Sequence, residues 1–282
     1  MLHIDEKVIE DIERGFSIPA QPKLLQELQD LITREEPELN LIAKTISQDV
    51  AISSTVLKTI NSPVYGLSRT VSDIPKAVRY IGLDGIVTLV TCSLIKQTFE
   101  QKDCSIALGE FWANSTSIAN VCVQIGNTLK QAISKDILFS LGLFHDCGIP
   151  IMAMKHPEYH KTFARALKFP NIPITTIEDT TYKANHATIG YYVSSSWRLP
   201  KDICQLILAH HERDFIDNPF SRIQKFYFSI LKMAENIVHQ KRYTKDTPDW
   251  TFLKDKVLNL LVLTEDEYIE ILNNADENIQ CA

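Results

Sequence analysis

Apolar residues recur at helical spacing along almost the whole chain, and this restricts the fold more than any other feature. Leu24, Leu25, Leu28, Leu31 and Ile32 form one stripe; Ile52, Val56 and Ile60 form a second; Ile86, Leu89, Val90 and Leu94 form a third. Alternating runs that would signal strands are few, and glycine is held to nine residues, as suits helices joined by short turns. Asn40 before Leu41 and Asp84 before Ile86 are expected N-caps, since their side chains can accept from free backbone amides. Pro200 stands where a first-turn proline is tolerated. Thr264 with Glu267 reads as a capping box opening a final helix. The expected fold class is all-α.

The polar segment from Gln97 to Gly109 divides an N-terminal helical set (1–100) from a second set (109–240), leaving 241–282 as a C-terminal helical extension. The segment is short and has no Pro/Ser-rich tract, so it reads as a turn between packed subdomains. Lys168 to Pro173, with two prolines and an Asn, is expected to break two helices with a loop. No 20–50-residue repeat is visible. The formal net charge of −6 without a Lys/Arg-rich block gives no reason to expect nucleic acid or an anionic membrane as partner. The start, acidic and without a basic-then-apolar pattern, does not read as a signal peptide, and no run reads as a membrane span. The six cysteines are scattered without a Cys-x-x-Cys pair, as expected of reduced, mostly buried thiols in a cytoplasmic protein.

Two residue pairs stand out against this background: His145-Asp146 and His210-His211. Both lie in segments that read as buried helix, where imidazoles and a carboxylate are costly without partners. Either a metal ion or a dense hydrogen-bond network can meet that cost. His186 lies between them in sequence. His156 and His160 with Glu158 form another i, i+4 pair, but without a Glu next to the first His the string reads as a solvated helix face. Cys147 reads as a small buried residue, and Trp112, Trp197 and Phe111 as core. Asn61-Ser62-Pro63, followed by Gly66, reads as a structural corner in which Gly66 takes a positive φ.

A family resemblance rests on several motifs in order. Ile18-Pro19 and Pro22 lead into a Leu-rich helix, then come Ile46 to Asp49, the element from Thr59 to Gly66 containing Asn61, Ser62 and Tyr65, Val71 to Ile74, Ala77, and Ile81-Gly-Leu83. The series continues through Phe111-Trp112, Leu143-Phe-His-Asp-Cys-Gly148, His186-Ala-x-Ile-Gly190, Trp197 to Pro200, and His210-His211. Over residues 15–240 the chain resembles the HDOD family, bacterial signalling modules related to HD-type metal phosphohydrolases. The resemblance implies an HD-like helical bundle with an N-terminal helical subdomain packed against it.

It also implies ligands. A dinuclear HD site uses an early His, the His-Asp pair, further histidines and a late Asp. Here the early His maps to Asn114, the late Asp to Asn236 preceded by Glu235, and a phosphate-contacting Lys to Ile149. The remaining half-site maps to Asp146, His186, His210 and His211, a set for one Zn, Fe, Mn or Ni ion, with His145 beside the dismantled half. Adjacent residues on a helix diverge by about 100°, which counts against shared ligation by His210 and His211. The bland alternative is a metal-free hydrogen-bonded cluster. Glu178 maps to an acid behind the site. The expectation is a non-catalytic signal-transduction module that binds signalling proteins or itself, with a nucleotide ligand as an option. The competing expectation is a metal-dependent phosphohydrolase of a nucleotide or cyclic dinucleotide.

Overall fold

The structure, a computed structural model, describes residues 15–16, 20–129, 131, 133–169, 171–275 and 279. Ile18 and Pro19 of the N-terminal motif, Pro170 and Cys281 lie outside the described residues. Among the described residues there is no strand, and the fold is all-α. The helices are α1 (Lys23–Ile32), α2 (Leu39–Ser47), α3 (Val50–Ile60), α4 (Ile74–Gln97), α5 (Leu108–Thr128), α6 (Lys135–Phe144) and α7 (Gly148–Lys155). They continue as α8 (His160–Lys168), α9 (Ile174–Tyr182), α10 (His186–Ser196), α11 (Lys201–Ala209), α12 (Arg222–Tyr243), α13 (Trp250–Leu261) and α14 (Glu265–Asn273). Short 3-10 turns occupy Pro63–Tyr65 and Gln101–Asp103.

The stripes read from the sequence form the core. Leu25, Leu28, Ile52, Val56, Ile60, Ile86 and Val90 are all fully buried, each contributing roughly 1.5–3 kcal/mol. The N-terminal helices α2 and α3 pack on α4, which reaches across to α6. Behind it α5 and α6 lie side by side with α12 against both, while α10 packs between α7 and α11. By length and composition alone 74–97 and 135–155 could each cross a membrane, but 56% and 83% of those windows are buried inside this fold.

Helix starts are fixed by side chains that accept from free amides. Asp49 accepts from Ile52 N, Asp73 from Lys76 N, Ser134 from Ile137 N and Asn185 from Thr188 N. Full capping boxes stand at Ser221/Gln224 and, as expected, at Thr264/Glu267. Three expected helix starts shift. Asn40 lies inside the first turn of α2, behind Glu38, and Pro200 precedes α11 as its N-cap. Asp84 lies within α4, just after a kink at Gly82 (φ 79°). The Asn61 corner closes on itself, its amide donating to Val71 O at 2.8 Å and accepting from Val71 N at 2.7 Å, and Gly66 takes φ 65°. The polar segment before α5 is tied down by Gln101, which bonds Ile106 O and Leu108 N at 2.8 Å each, and by Ser105, whose hydroxyl donates to Ala153 O at 2.8 Å.

A single close backbone approach sets α7 against α10. A Cβ at Gly148, the first residue of α7, would lie 2.0 Å from the carbonyl oxygen of His186 and 2.8 Å from Gly190 N. Both are backbone atoms, so α10 would have to move. Gly148→Ala is therefore expected to cost about 3 kcal/mol, at the upper end of overpacking penalties. A shift of the urea midpoint to lower concentration checks this; an unchanged midpoint contradicts it.

Candidate metal centre

Both polar pairs sit at helix ends, not within helices. α6 ends at Phe144, so His145 is its C-cap and Asp146 lies in the turn before α7. α11 ends at Ala209, so His210 is its C-cap and His211 follows outside the helix. The divergence expected of neighbours on a helix therefore does not apply: the two rings stand 4.1 Å apart, centroid to centroid. His186 opens α10 from the opposite side. Two helix C-termini and one N-terminus thus deliver four donors to a common point.

Asp146, His186, His210 and His211 offer ligand atoms that all lie within 4.8 Å of one another. His186 Nε2 is 3.1 Å from His211 Nε2, 3.4 Å from His210 Nε2 and 3.3 Å from Asp146 Oδ1; His210 Nε2 is 3.2 Å from the same oxygen. Bonds of about 2.0–2.1 Å to a tetrahedral ion place its donors about 3.3–3.4 Å apart, so these four separations suit one shared ion, while the other two pairs stay within 4.8 Å.

The far side of each ring is occupied. Nδ1 of His186 donates to Glu178 Oε2 (2.8 Å), that of His210 to Ile207 O (2.7 Å), and that of His211 to Asp249 Oδ2 (3.3 Å). Such contacts fix the tautomer and turn the Nε2 lone pair inward. Three imidazole nitrogens and a carboxylate oxygen then face one another, an arrangement that needs a positive charge at its centre. A proton on one ring can bridge one pair, whereas a metal ion satisfies all four donors.

Glu178 is fully buried and also accepts from His186 N at 2.9 Å and from the Tyr159 hydroxyl. Burial alone would keep His186 neutral, but Glu178 and Asp146 outweigh it and raise its pKa to about 10. Burial holds His210 below the usual imidazole range and, helped by the neighbouring His210, takes His211 further below it. Both therefore stay in the neutral form that binds metal.

On the other side, Asp146 Oδ2 is 3.1 Å from His145 Nε2, which in turn is 3.5 Å from Glu235 Oε1. Lys232, only 2% exposed, places Nζ 2.6 Å from Glu235 Oε2 and 3.3 Å from Asp249 Oδ2. Arg213 Nε donates to Asp249 Oδ1 at 2.9 Å. Burial alone would lower the Lys232 pKa, but Glu235 and Asp249 raise it instead; the ammonium in turn helps hold Asp249, against its own burial, well below the usual carboxylate range.

The four residues assigned as a ligand set are therefore together, and His145 lies beside them on the second oxygen of Asp146. Asn114 lines a hollow with His145, Asp146 and Glu235. Asn236 does not: its side chain turns away to Asp246 (2.8 Å) and the Tyr268 hydroxyl (3.0 Å), and accepts from Thr247 N (2.7 Å). Neighbours on α12 point about 100° apart, so Glu235 faces the centre instead. Cations are present too, with Arg213, Lys232 and Lys245 lining a cleft of about 750 Å³ that opens on Asp146, His186 and His211. Sequence reasoning missed Lys232, Arg213 and Asp249. A lysine inside the apolar run Phe226 to Val238 was the available signal for the first. His156 stacks on Tyr182 at 4.2 Å and His160 is exposed, and neither lines these cavities. Cys147 is buried, with its thiol pKa pushed well up by burial.

Known proteins share this architecture. A relative from Treponema pallidum (strain Nichols), called an uncharacterized protein, is 27% identical over 200 residues, covering 71% of this chain. The match spans only 38% of that protein's length. Among solved structures, a Shewanella amazonensis protein described as a candidate phosphohydrolase superposes with a TM-score of 0.69 at 19% identity, covering 96% of this chain and 94% of that one. An HDOD domain protein of unknown function from Geobacter sulfurreducens gives 0.65 at 17% identity, over 98% of both chains. At such identities the likeness establishes the fold. The HDOD domain pattern itself matches residues 18–213, most of the chain, and so the chain belongs to the HDOD family.

Proposed function

We propose that this protein is a regulatory module of bacterial signal transduction, cytoplasmic and without turnover, built around a one-metal centre. Asp146, His186, His210 and His211 hold the ion, and His145 stands next to it. The observation that carries this reading is the donor geometry. Four protein ligands converging on one point can fill a four-coordinate ion, as in structural sites, whereas catalytic sites keep a position open for substrate or water. The ion then serves to lock the α6–α7 turn, the start of α10 and the end of α11 to one another. Residues 1–100 and 109–240 work as packed subdomains, and the 241–282 extension supplies Asp249 to orient His211. Signalling proteins, or a second copy of the chain, are the partners on this reading, met through helical surfaces.

A second reading has one observation in its favour. The cleft with Arg213, Lys232 and Lys245 suits an anionic ligand such as a nucleotide, and an ion of higher coordination number would keep positions open towards it. There the ion would act as a Lewis acid on a phosphoryl oxygen, while Arg213 and Lys245 would orient the phosphate. Elemental analysis paired with hydrolysis of bis(p-nitrophenyl) phosphate and of a cyclic dinucleotide separates the two. The regulatory reading expects one metal per chain in the wild type, and no hydrolysis above background in either the wild type or His211→Ala. Turnover that is lost in His211→Ala overturns it in favour of the hydrolase.

A further inference from the structure

A second set of donors lies within reach of the same carboxylate. Asp146 spends Oδ1 on the imidazoles of His186 and His210, while Oδ2 faces His145, whose Nδ1 is occupied by the carbonyl of Gly142 at 2.9 Å. That hydrogen bond leaves His145 Nε2 turned towards Asp146 Oδ2 and Glu235 Oε1. One imidazole and two carboxylates, with Asn114 lining the same hollow, would ordinarily attract a second divalent ion.

A buried cation is already there. Lys232 comes from the preceding turn of α12, its side chain 2% exposed, and its ammonium lies 2.6 Å from Glu235. It bridges to Asp249, the acid that orients His211. We propose that Lys232 is a built-in counter-cation that limits the centre to one metal ion, by claiming the Glu235 carboxylate that would otherwise complete a second coordination set with His145 and Asp146. The physical reason is charge. A divalent ion bound to Glu235 Oε1 would stand close to the ammonium held on Oε2, in an interior where like charges are poorly screened. One residue also reaches both sides of the centre, which couples the second site to the alignment of His211. This inference rests on the one-metal reading above.

The test is a count of bound ions by native mass spectrometry after saturation with Mn(II), with electron paramagnetic resonance of the same samples. Wild type is expected to take one ion per chain with an uncoupled Mn(II) spectrum. Asn114→His adds an imidazole but keeps Lys232, and is expected still to take one. Asn114→His combined with Lys232→Met is expected to take two, with the exchange-coupled spectrum of an ion pair. Two ions in Asn114→His, or one in the folded double variant, overturns the role of Lys232; the single variant decides the matter if the double variant does not fold. Two ions in wild type overturns it while leaving the Asp146, His186, His210 and His211 centre standing. No ion in wild type removes the one-metal reading itself.

Discussion

Stripping the metal with dipicolinate is expected to lower the melting temperature by about 10 °C. The four donors come from the α6–α7 turn, the first residue of α10 and the end of α11, elements distant in sequence that no unfolded chain brings together. An ion bound only to the folded state stabilises by mass action, about 4 kcal/mol when it is present at a thousand times its dissociation constant. For a chain of this size each kcal/mol is worth roughly 2–4 °C. The sign with pH comes from the ligands. Imidazole must be deprotonated to bind, and His186, with its pKa raised to about 10, must give up a proton to the ion. The stabilisation is therefore expected to grow with pH through the neutral range, and to be lost as the pH falls and protons compete for the histidines. Differential scanning fluorimetry of stripped and reloaded protein measures both effects. A melting temperature that ignores chelation and reloading contradicts a metal centre and favours the hydrogen-bonded cluster.

Glu178→Leu is expected to be the most damaging single substitution behind the centre. Its carboxylate receives three donors at once: the backbone amide and Nδ1 of His186 and the hydroxyl of Tyr159, all in a fully buried setting. Removing one partner of a buried charged network costs about 3–5 kcal/mol, because the groups left behind cannot regain water. The ring of His186 also loses the contact that fixes its tautomer, and loss of such an outer contact lowers metal affinity about 10–100-fold. Glu178→Gln keeps the shape and an acceptor oxygen for His186, and so is expected to recover much of the stability. Urea unfolding and a competitive metal titration on both variants check this. If Glu178→Leu matches wild type in affinity, Glu178 is only a packing residue.

The fold was legible because helical apolar periodicity is a local signal that survives without knowledge of the partners. Leu25, Leu28, Ile52, Val56 and Ile60 are buried as their spacing demands. Helix ends were less legible. Asn40 and Asp84 have good capping chemistry, but the chain turns earlier at Glu38 in one case and kinks at Gly82 in the other. The same difficulty affected the centre: a His-Asp or His-His string does not reveal that its helix stops just before it, and that stop is what lets both residues of each pair turn inward. Asn236 and Glu235 show the limit most plainly. Adjacent residues are equal candidates in a motif, but on α12 only one can face the centre, and it is Glu235. Asp249 could not have been found from spacing, since it reaches His211 from a separate helical segment 38 residues on.

X-ray absorption at the metal edge of the purified protein tests the one-metal centre with a filled coordination sphere most directly. The expected spectrum is that of a single four-coordinate ion with three imidazole nitrogens and one carboxylate oxygen at about 2.0–2.1 Å. A six-coordinate ion, a metal–metal scattering shell, or protein that takes up no metal at all would contradict it.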